Sequence, residues 1–182
     1  MAVSGQTRTL KDSDGNTYPV AKMLDGRVWM LTNLNLRIPG SYCYDNSDAN
    51  CDRYGRLYTW KTAQHACDGL GENWQLATIN DWRALAKAYS DAPLDSEENQ
   101  KKAFTALSSG GTSSFKAMAG GASSPNNTFR RLGMHGFFWI ATEAGAQNAW
   151  FANFADGPKS LFLQNNGDKP DGMSVRCIKG KN

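Results

Sequence analysis

Residues 136–178 read GFFWIATEAGAQNAWFANFADGPKSLFLQNNGDKPDGMSVRCI, and this aromatic-rich stretch predicts the architecture around it. Two apolar runs, at 137–141 and 149–154, are typical of buried strands, an alternating run follows at 160–163, and a last run spans 173–178. Gly, Asn, Asp and Pro fill the intervals, and these residues favour turns. The pattern predicts an antiparallel meander whose outer face has little structural work. The predicted core residues of this meander are Trp139, Trp150, Phe154 and Val175.

The composition fits one loop-rich globular domain over residues 1–182. Hydrophobic residues make up 40% of the chain and charged residues 20%, which is ordinary for a soluble domain. The net charge of +3 is too small, and the Lys and Arg residues are too scattered, to predict a nucleic-acid partner. No apolar run is long enough to span a membrane, so direct membrane insertion is not expected.

The cysteines bear on the compartment. The first ten residues, MAVSGQTRTL, contain no apolar signal core, so the protein is intracellular or carried on a virus particle, or an export signal has been removed. An even number of cysteines in a Trp-rich chain favours two disulfides and an oxidising compartment, with four buried free thiols as the alternative. Spacing alone does not derive the pairing. We predict Cys43–Cys51, which closes a short loop, and Cys67–Cys177, which ties the last strand to a helix.

Residues 7–36 predict strands joined by tight turns. Asp12, Asp14 and Asn16 resemble the start of a calcium loop, but Met23 stands where such a loop needs a glutamate. We therefore predict a hairpin turn here and no metal site.

Helical patterns occupy the middle of the chain. Thr59 is the predicted N-cap of one helix, and Thr78 or Asn80 caps a second. A short third helix is predicted at 103–107, and the polar segment 37–56 is predicted to be a loop.

Motifs for catalysis are absent from the sequence. No GxSxG, HExxH, P-loop or GxGxxG pattern occurs, and His65 and His135 are isolated. Glu143 is the one acid of interest, although a structural hydrogen bond is the more frequent role of such a residue. We predict that the chain is not an enzyme and needs no cofactor.

Four stretches together resemble one family. DSDGNTYPVAKMLDGRVWMLTNL, CYDNSDANCDRYGRLYTWKTAQHAC, WQLATINDWRAL and FFWIATEAGAQNAWFANF, the last followed by SVRCI, are similar to successive elements of the Fibrobacter succinogenes major paralogous domain. The resemblance spans nearly the whole chain, and its second stretch is the most specific. Ala77 departs from the family's usual Pro, and Ile140 departs from its usual Ser or Thr.

That family is similar to the formylglycine-generating-enzyme and C-type-lectin-like group of folds. The resemblance implies an α+β, C-type-lectin-like fold with two main helices packed on a twisted antiparallel sheet and with adjacent N- and C-terminal strands. It also supports the Cys67–Cys177 disulfide. The oxidising cysteine pair of the formylglycine-generating enzymes has no convincing match, which speaks against that activity.

A sharper resemblance is to ligand-binding proteins that retroelements diversify, whose variable positions lie just before a constant SVRC-like end. It implies a scaffold set of Trp150, Phe154, Asn165, Asn166, Gly172, Ser174, Val175 and Arg176. The predicted ligand-binding residues lie between them and are Phe151, Asn153, Ala155, Asp156, Pro158, Lys159, Ser160, Leu161, Leu163, Lys169, Asp171 and Met173.

These features together predict a binding module of the receptor or adhesion type, located outside the cell, at the cell surface or on a virus particle. Its partner would be a protein or glycan on another cell or particle. Replacing Phe151 and Leu161 with Asp is expected to abolish binding with little loss of stability. The alternatives are an enzyme of the formylglycine-generating type and a structural surface domain without a specific ligand.

Overall fold

Residues 7–180 are the residues that this computed structural model describes, and they form twelve strands and four α-helices. The predicted domain, 1–182, also includes residues 1–6 and 181–182, which lie outside the described part. The fold class is α+β. The strands are β1 (Arg8–Lys11), β2 (Thr17–Lys22), β3 (Val28–Met30), β4 (Ser41–Tyr42), β5 (Leu57–Tyr58), β6 (Trp74–Leu76), β7 (Ala122–Ser123), β8 (Phe129–Arg130), β9 (His135–Glu143), β10 (Asn148–Ala155), β11 (Ser160–Asp168) and β12 (Cys177–Lys179). The α-helices are α1 (Asp48–Tyr54), α2 (Trp60–Ala66), α3 (Ile79–Ser90) and α4 (Glu97–Leu107).

The N-terminal strands share a sheet with the last strand. The order of this sheet is β1-β2-β3-β12-β6, and each pair of neighbours is antiparallel. Ile178 of β12 lies opposite Trp29 of β3 on one side and Gln75 of β6 on the other. The expected adjacency of N- and C-terminal strands is therefore present.

The meander forms a separate antiparallel sheet in the order β11-β10-β9. Three of its four predicted strands are present, each longer than predicted. The prediction of a fourth meander strand at 173–178 is wrong, because only Cys177–Lys179 is a strand and it belongs to the five-stranded sheet. Met173 and Ser174 instead make isolated bridges to Tyr58 and Phe138. The segment before β12 therefore leads from the meander sheet to the five-stranded sheet.

Side-chain caps determine where the central helices begin. Thr59 accepts a hydrogen bond from the backbone N–H of Thr62, and Thr78, not Asn80, forms a capping box with Asp81. The helix predicted at 103–107 is α4, and it begins earlier than predicted, at Glu97. The predicted loop at 37–56 contains α1, which its sequence did not indicate because this short polar helix buries only one side chain and has no apolar period.

Apolar side chains cover both faces of the meander sheet. On one face, Phe154 packs against Trp82 of α3, with ring centroids 6.2 Å apart. On the other face, Trp139 and Phe151 belong to a second cluster, and the Trp139 indole N–H donates to the carbonyl oxygen of Tyr58 at 2.7 Å. The middle of the sheet therefore has no free outer face.

One of the four predicted core residues is misplaced. Trp139, Phe154 and Val175 are buried, but Trp150 is only half-buried. Trp150 lies where the register of β10 shifts against both neighbouring strands. The Arg83 guanidinium lies 5.6 Å from the centroid of the Trp150 ring. A bulge at this point turns the indole toward the edge of the core.

A buried arginine holds the segment after α4 against β3. The Arg176 guanidinium group donates to Asn33 Oδ1 and to the carbonyl oxygens of Met30, Phe115 and Lys116, at 2.6 to 3.1 Å. Burial lowers the pKa of Arg176. The four acceptors compensate for desolvation of this cation, which has no carboxylate partner within residues 7–180.

Both disulfides form with the predicted pairing. Cys43–Cys51 closes a loop around the start of α1, and Cys67–Cys177 joins the end of α2 to β12. All four cysteines are buried. Disulfides persist in oxidising environments, so the pairing indicates a protein of the extracellular type. None of the helices within residues 7–180 has the length and apolar character needed to cross a bilayer.

Candidate functional site

The meander sheet carries a surface depression of about 390 Å³ on the face that presents Phe151 and Asn153. We call it the meander depression. β9, β10, the end of β11 and the segments at 130–131 and 171–173 surround it. It is lined by Arg130, Arg131, His135, Phe137, Phe151, Asn153, Asn166, Gly167, Asp168, Asp171 and Met173.

A row of polar side chains crosses the sheet at this depression. His135 Nδ1 donates to Asn153 Oδ1 at 2.9 Å, and Asn153 Nδ2 donates to Gln164 Oε1 at 2.9 Å. Asn153 is only 8% exposed, so its amide is committed to these two neighbours. The Nε2 atoms of His135 and Gln164 have no protein partner within residues 7–180, which leaves both side chains able to bond a further group.

Aromatic rings line the same face. The His135 ring stacks on Phe137 with centroids 5.1 Å apart and an interplanar angle of 14°. Phe137 in turn meets Phe151 edge to face at 6.0 Å. Because Phe137 and His135 are half-buried, part of each ring faces solvent, and such faces stack against flat apolar groups of a ligand.

Charged residues form the wall and rim of the depression. Arg130 donates to Asp171 Oδ2 at 2.5 Å and to Ser124 Oγ at 2.7 Å, which fixes the guanidinium group in place. Arg131 and Asp168 are exposed at the rim. The rim therefore offers both hydrogen-bond donors and acceptors around a floor of amide and aromatic groups.

Four of the predicted ligand-binding residues converge on the meander depression. They are Phe151, Asn153, Asp171 and Met173. The others lie elsewhere: Asp156, Pro158 and Lys159 are exposed in the turn between β10 and β11, where Lys159 pairs with Asp156 at 2.6 Å.

Lys169 is tied down at the other end of the sheet. Its ammonium group contacts the carboxylate of Glu143 and donates hydrogen bonds to the carbonyl oxygens of Gly145 and Ala146. It also lies 4.8 Å from the centroid of the Trp60 ring. Glu143, the acid noted in the sequence, therefore has a structural ion pair.

The prediction that these residues occupy an outer face is wrong for most of them. The buried members are Phe151, Asn153, Ala155, Ser160, Leu161, Asp171 and Met173. Leu161 is 0% exposed because the side chains of α3 and α4 cover the face of the sheet opposite the depression. Phe151 and Leu161 are therefore both buried, and Asp at either position is expected to destabilise the fold, contrary to the expectation of little loss of stability.

The predicted scaffold set also needs correction. Asn165 and Asn166 are exposed, although the resemblance implied that they belong to the scaffold, and Asn166 lines the depression. Sequence reasoning missed His135, Phe137 and the two arginines at 130–131 as well. The strand register could have found the first two, since it places Phe137 opposite Asn153 and His135 opposite Ala155, but one sequence does not reveal a register.

Groups suited to metal binding do not gather in the part of the chain that is described. No set of three or more His, Cys, Asp or Glu side chains within residues 7–180 is placed to hold a metal ion. The Asp12 carboxylate, at the start of the calcium-like turn, accepts hydrogen bonds from the backbone of Asp14, from the backbone and side chain of Asn16 and from the Tyr18 hydroxyl. That turn is therefore held by its own donors.

Comparison with known proteins gives one match. Residues 7–179 match the family model described as the Fibrobacter succinogenes major domain. No curated protein and no solved structure matches the chain.

Proposed function

Since the chain belongs to the Fibrobacter succinogenes major domain family, we propose that it is a ligand-binding module of the receptor or adhesion type, built on a C-type-lectin-like scaffold. Its ligand is a protein or glycan on another cell or particle. The module works outside the cell, at the cell surface or on a virus particle. The meander depression is its binding site.

The observation that carries this proposal is the composition of the depression. It combines partly exposed aromatic faces at His135 and Phe137 with a fixed amide at Asn153 and with charged groups of both signs at the rim. Binding sites are typically lined by aromatic and apolar side chains together with a few oriented polar groups. The Cys67–Cys177 disulfide fixes the chain shortly after Met173, which lines the depression, and a rigid site loses less entropy on binding.

We further propose that a retroelement diversifies this surface. Burial narrows the set of positions that could tolerate such change, because substitutions at fully buried positions such as Leu161 cost stability. The candidates that remain are the exposed and half-buried residues of the depression and the exposed turn at 156–159. A near-copy of the 3′ coding segment beside a reverse-transcriptase gene, differing at adenines, is expected in the flanking DNA; its absence would contradict diversification but not binding.

Two neighbouring asparagines give a matched test of the binding site. Asn166 lines the depression, whereas Asn165, also exposed and on the same strand, does not line it. We expect Asn166→Trp to block binding to a ligand found by screening immobilised cell-surface glycans and proteins, and Asn165→Trp to leave that binding within about twofold of the wild type.

The outcomes separate the alternatives. Equal loss of binding in both variants would place the site away from the depression. Failure of the wild-type protein to bind anything in a broad screen would favour a structural surface domain without a specific ligand. Turnover of a sulfatase peptide would favour the formylglycine-generating type of enzyme.

A further inference from the structure

A groove of about 540 Å³ lies beside the edge strand β11, on the face of the meander sheet opposite the meander depression. We call it the α3 groove, because α3 forms one wall and the segment leading into α4 forms the other. Its apolar lining includes Ala84, Pro93, Leu94, Trp150, Leu161 and Leu163. Its volume falls within the range of about 300–1,000 Å³ that is usual for small-molecule sites.

The groove is one place where the main core reaches solvent. Leu94, Trp150 and Leu163 pack against the buried cluster around Trp82 but are only partly buried themselves. Covering such an apolar surface is favourable, because water gains freedom when it leaves. The floor of the groove therefore suits the apolar body of a ligand.

Two cations stand at the wall of this groove without an anion. Arg83 and Lys87 lie one turn apart on α3, both are exposed, and neither takes part in an ion pair within residues 7–180. The Arg83 guanidinium lies over the Trp150 ring. Asp95, on the opposite wall, accepts a hydrogen bond from the Asn99 amide at 3.2 Å. The α3 wall is thus positive and directly adjoins the apolar floor.

We propose that the α3 groove binds a small amphiphilic carboxylate. Its apolar body lies on Trp150 and Leu163, and its carboxylate faces Arg83 and Lys87. An arginine fork matches the two oxygens of a carboxylate, and a second cation one helical turn away adds to the attraction. This site is independent of the meander depression, so it stands or falls separately from the proposed function.

The test uses two probes of equal chain length and opposite charge, octanoate and octylammonium. Titration calorimetry gives the affinities, and the indole N–H resonance of Trp150 reports on the location of binding. We expect octanoate to bind and to shift that resonance, and octylammonium to bind roughly five- to twentyfold more weakly, as two partly screened charge contacts would give.

Substitutions in the groove separate the contribution of the two cations to octanoate binding from that of the open volume of the groove. Arg83→Ala with Lys87→Ala should remove most of the preference for octanoate, whereas the exposed pair Arg8→Ala with Lys61→Ala changes net charge equally outside the groove and should preserve it. Ala84→Trp fills the groove from an exposed helix position and should abolish octanoate binding.

Three results would overturn the proposal. One is equal affinity of the wild type for both probes, and another is octanoate binding that survives Ala84→Trp. The third is binding of an acidic, leucine-containing peptide where octanoate does not bind, which would make the α3 groove a peptide site.

Discussion

Removal of the Cys67–Cys177 disulfide should destabilise this protein about twice as much as removal of Cys43–Cys51. The two bonds close loops with sequence separations of 110 and 8 residues. The chain-entropy relation for loop closure gives about 4.8 kcal/mol for the long loop and about 2.5 kcal/mol for the short one at 25 °C. The expected difference is therefore about 2 kcal/mol.

The assay is urea unfolding followed by tryptophan fluorescence, with paired Cys→Ala substitutions for each bond. Alanine is the replacement of choice because all four cysteines are buried, and alanine adds neither a polar group nor a reactive thiol to the core. Each pair of substitutions deletes two buried sulfur atoms, so the cavity costs are similar and the difference reports loop length. Both variants should retain a single cooperative transition.

Equal losses, or a larger loss from the Cys43–Cys51 pair, would refute the reasoning from loop length. Such a result would mean that the Cys43–Cys51 disulfide stabilises the folded state directly. One such contact is with Arg56, whose Nη1 atom lies 3.3 Å from Cys43 Sγ and 3.5 Å from Cys51 Sγ. Natural domains have a total stability of only about 5–15 kcal/mol. Loss of both bonds should therefore leave the chain close to unfolding in a reducing solution.

Three further predictions follow from burial. Leu161→Ala should cost about 2–5 kcal/mol in unfolding free energy, because its side chain is fully buried. Gly167→Ala should cost about 1–3 kcal/mol, because a Cβ there would lie 2.7 Å from the Trp139 ring. Burial raises the pKa of Asp25. The protonated carboxyl therefore contributes its full stabilisation below about pH 4, and this contribution is lost as the pH rises through the folded-state pKa. Asp25→Asn should remove this pH dependence of the unfolding free energy, measured by urea unfolding between about pH 4 and pH 8.

Each of these predictions has a control in the same chain. Leu24→Ala, at a side chain that is 49% exposed, should change stability by less than about 0.5 kcal/mol. Gly157→Ala places a Cβ where nothing lies within 4 Å and should be tolerated. Asp68→Asn alters an exposed carboxylate and should keep the pH dependence of the wild type. A variant whose unfolding free energy, or its pH dependence, changes no more than that of its control would contradict the corresponding prediction.

Much of the fold could be read from local chemistry. The cap at Thr59, the helix behind Thr78 and three meander strands each depend on residues close in sequence, and the disulfide pairing agrees with the family resemblance. The fourth strand could not be placed in the same way. Its apolar run is equally suitable for either sheet, and its partner strand β3 lies far away in the sequence.

The candidate site was harder to predict for a related reason. The alternation of β10 shows that Phe151 and Phe154 face opposite ways, but it does not show that helices cover one face and Trp139 with its neighbours covers the middle of the other. His135 reaches the site only through the register between β9 and β10. A pattern of period two separates faces, and only the tertiary structure decides which parts of them remain open.

The position of β12 between β3 and β6 has a consequence for synthesis on the ribosome. β3 and β6 are translated long before β12, and both keep an unpaired edge until residues 177–179 emerge to fill the gap. A frameshift anywhere in 151–173 would replace this closing strand and leave both edges open, whereas an in-frame substitution there would keep β12 in place. Closure of the five-stranded sheet therefore requires that the segment before β12 be translated in frame.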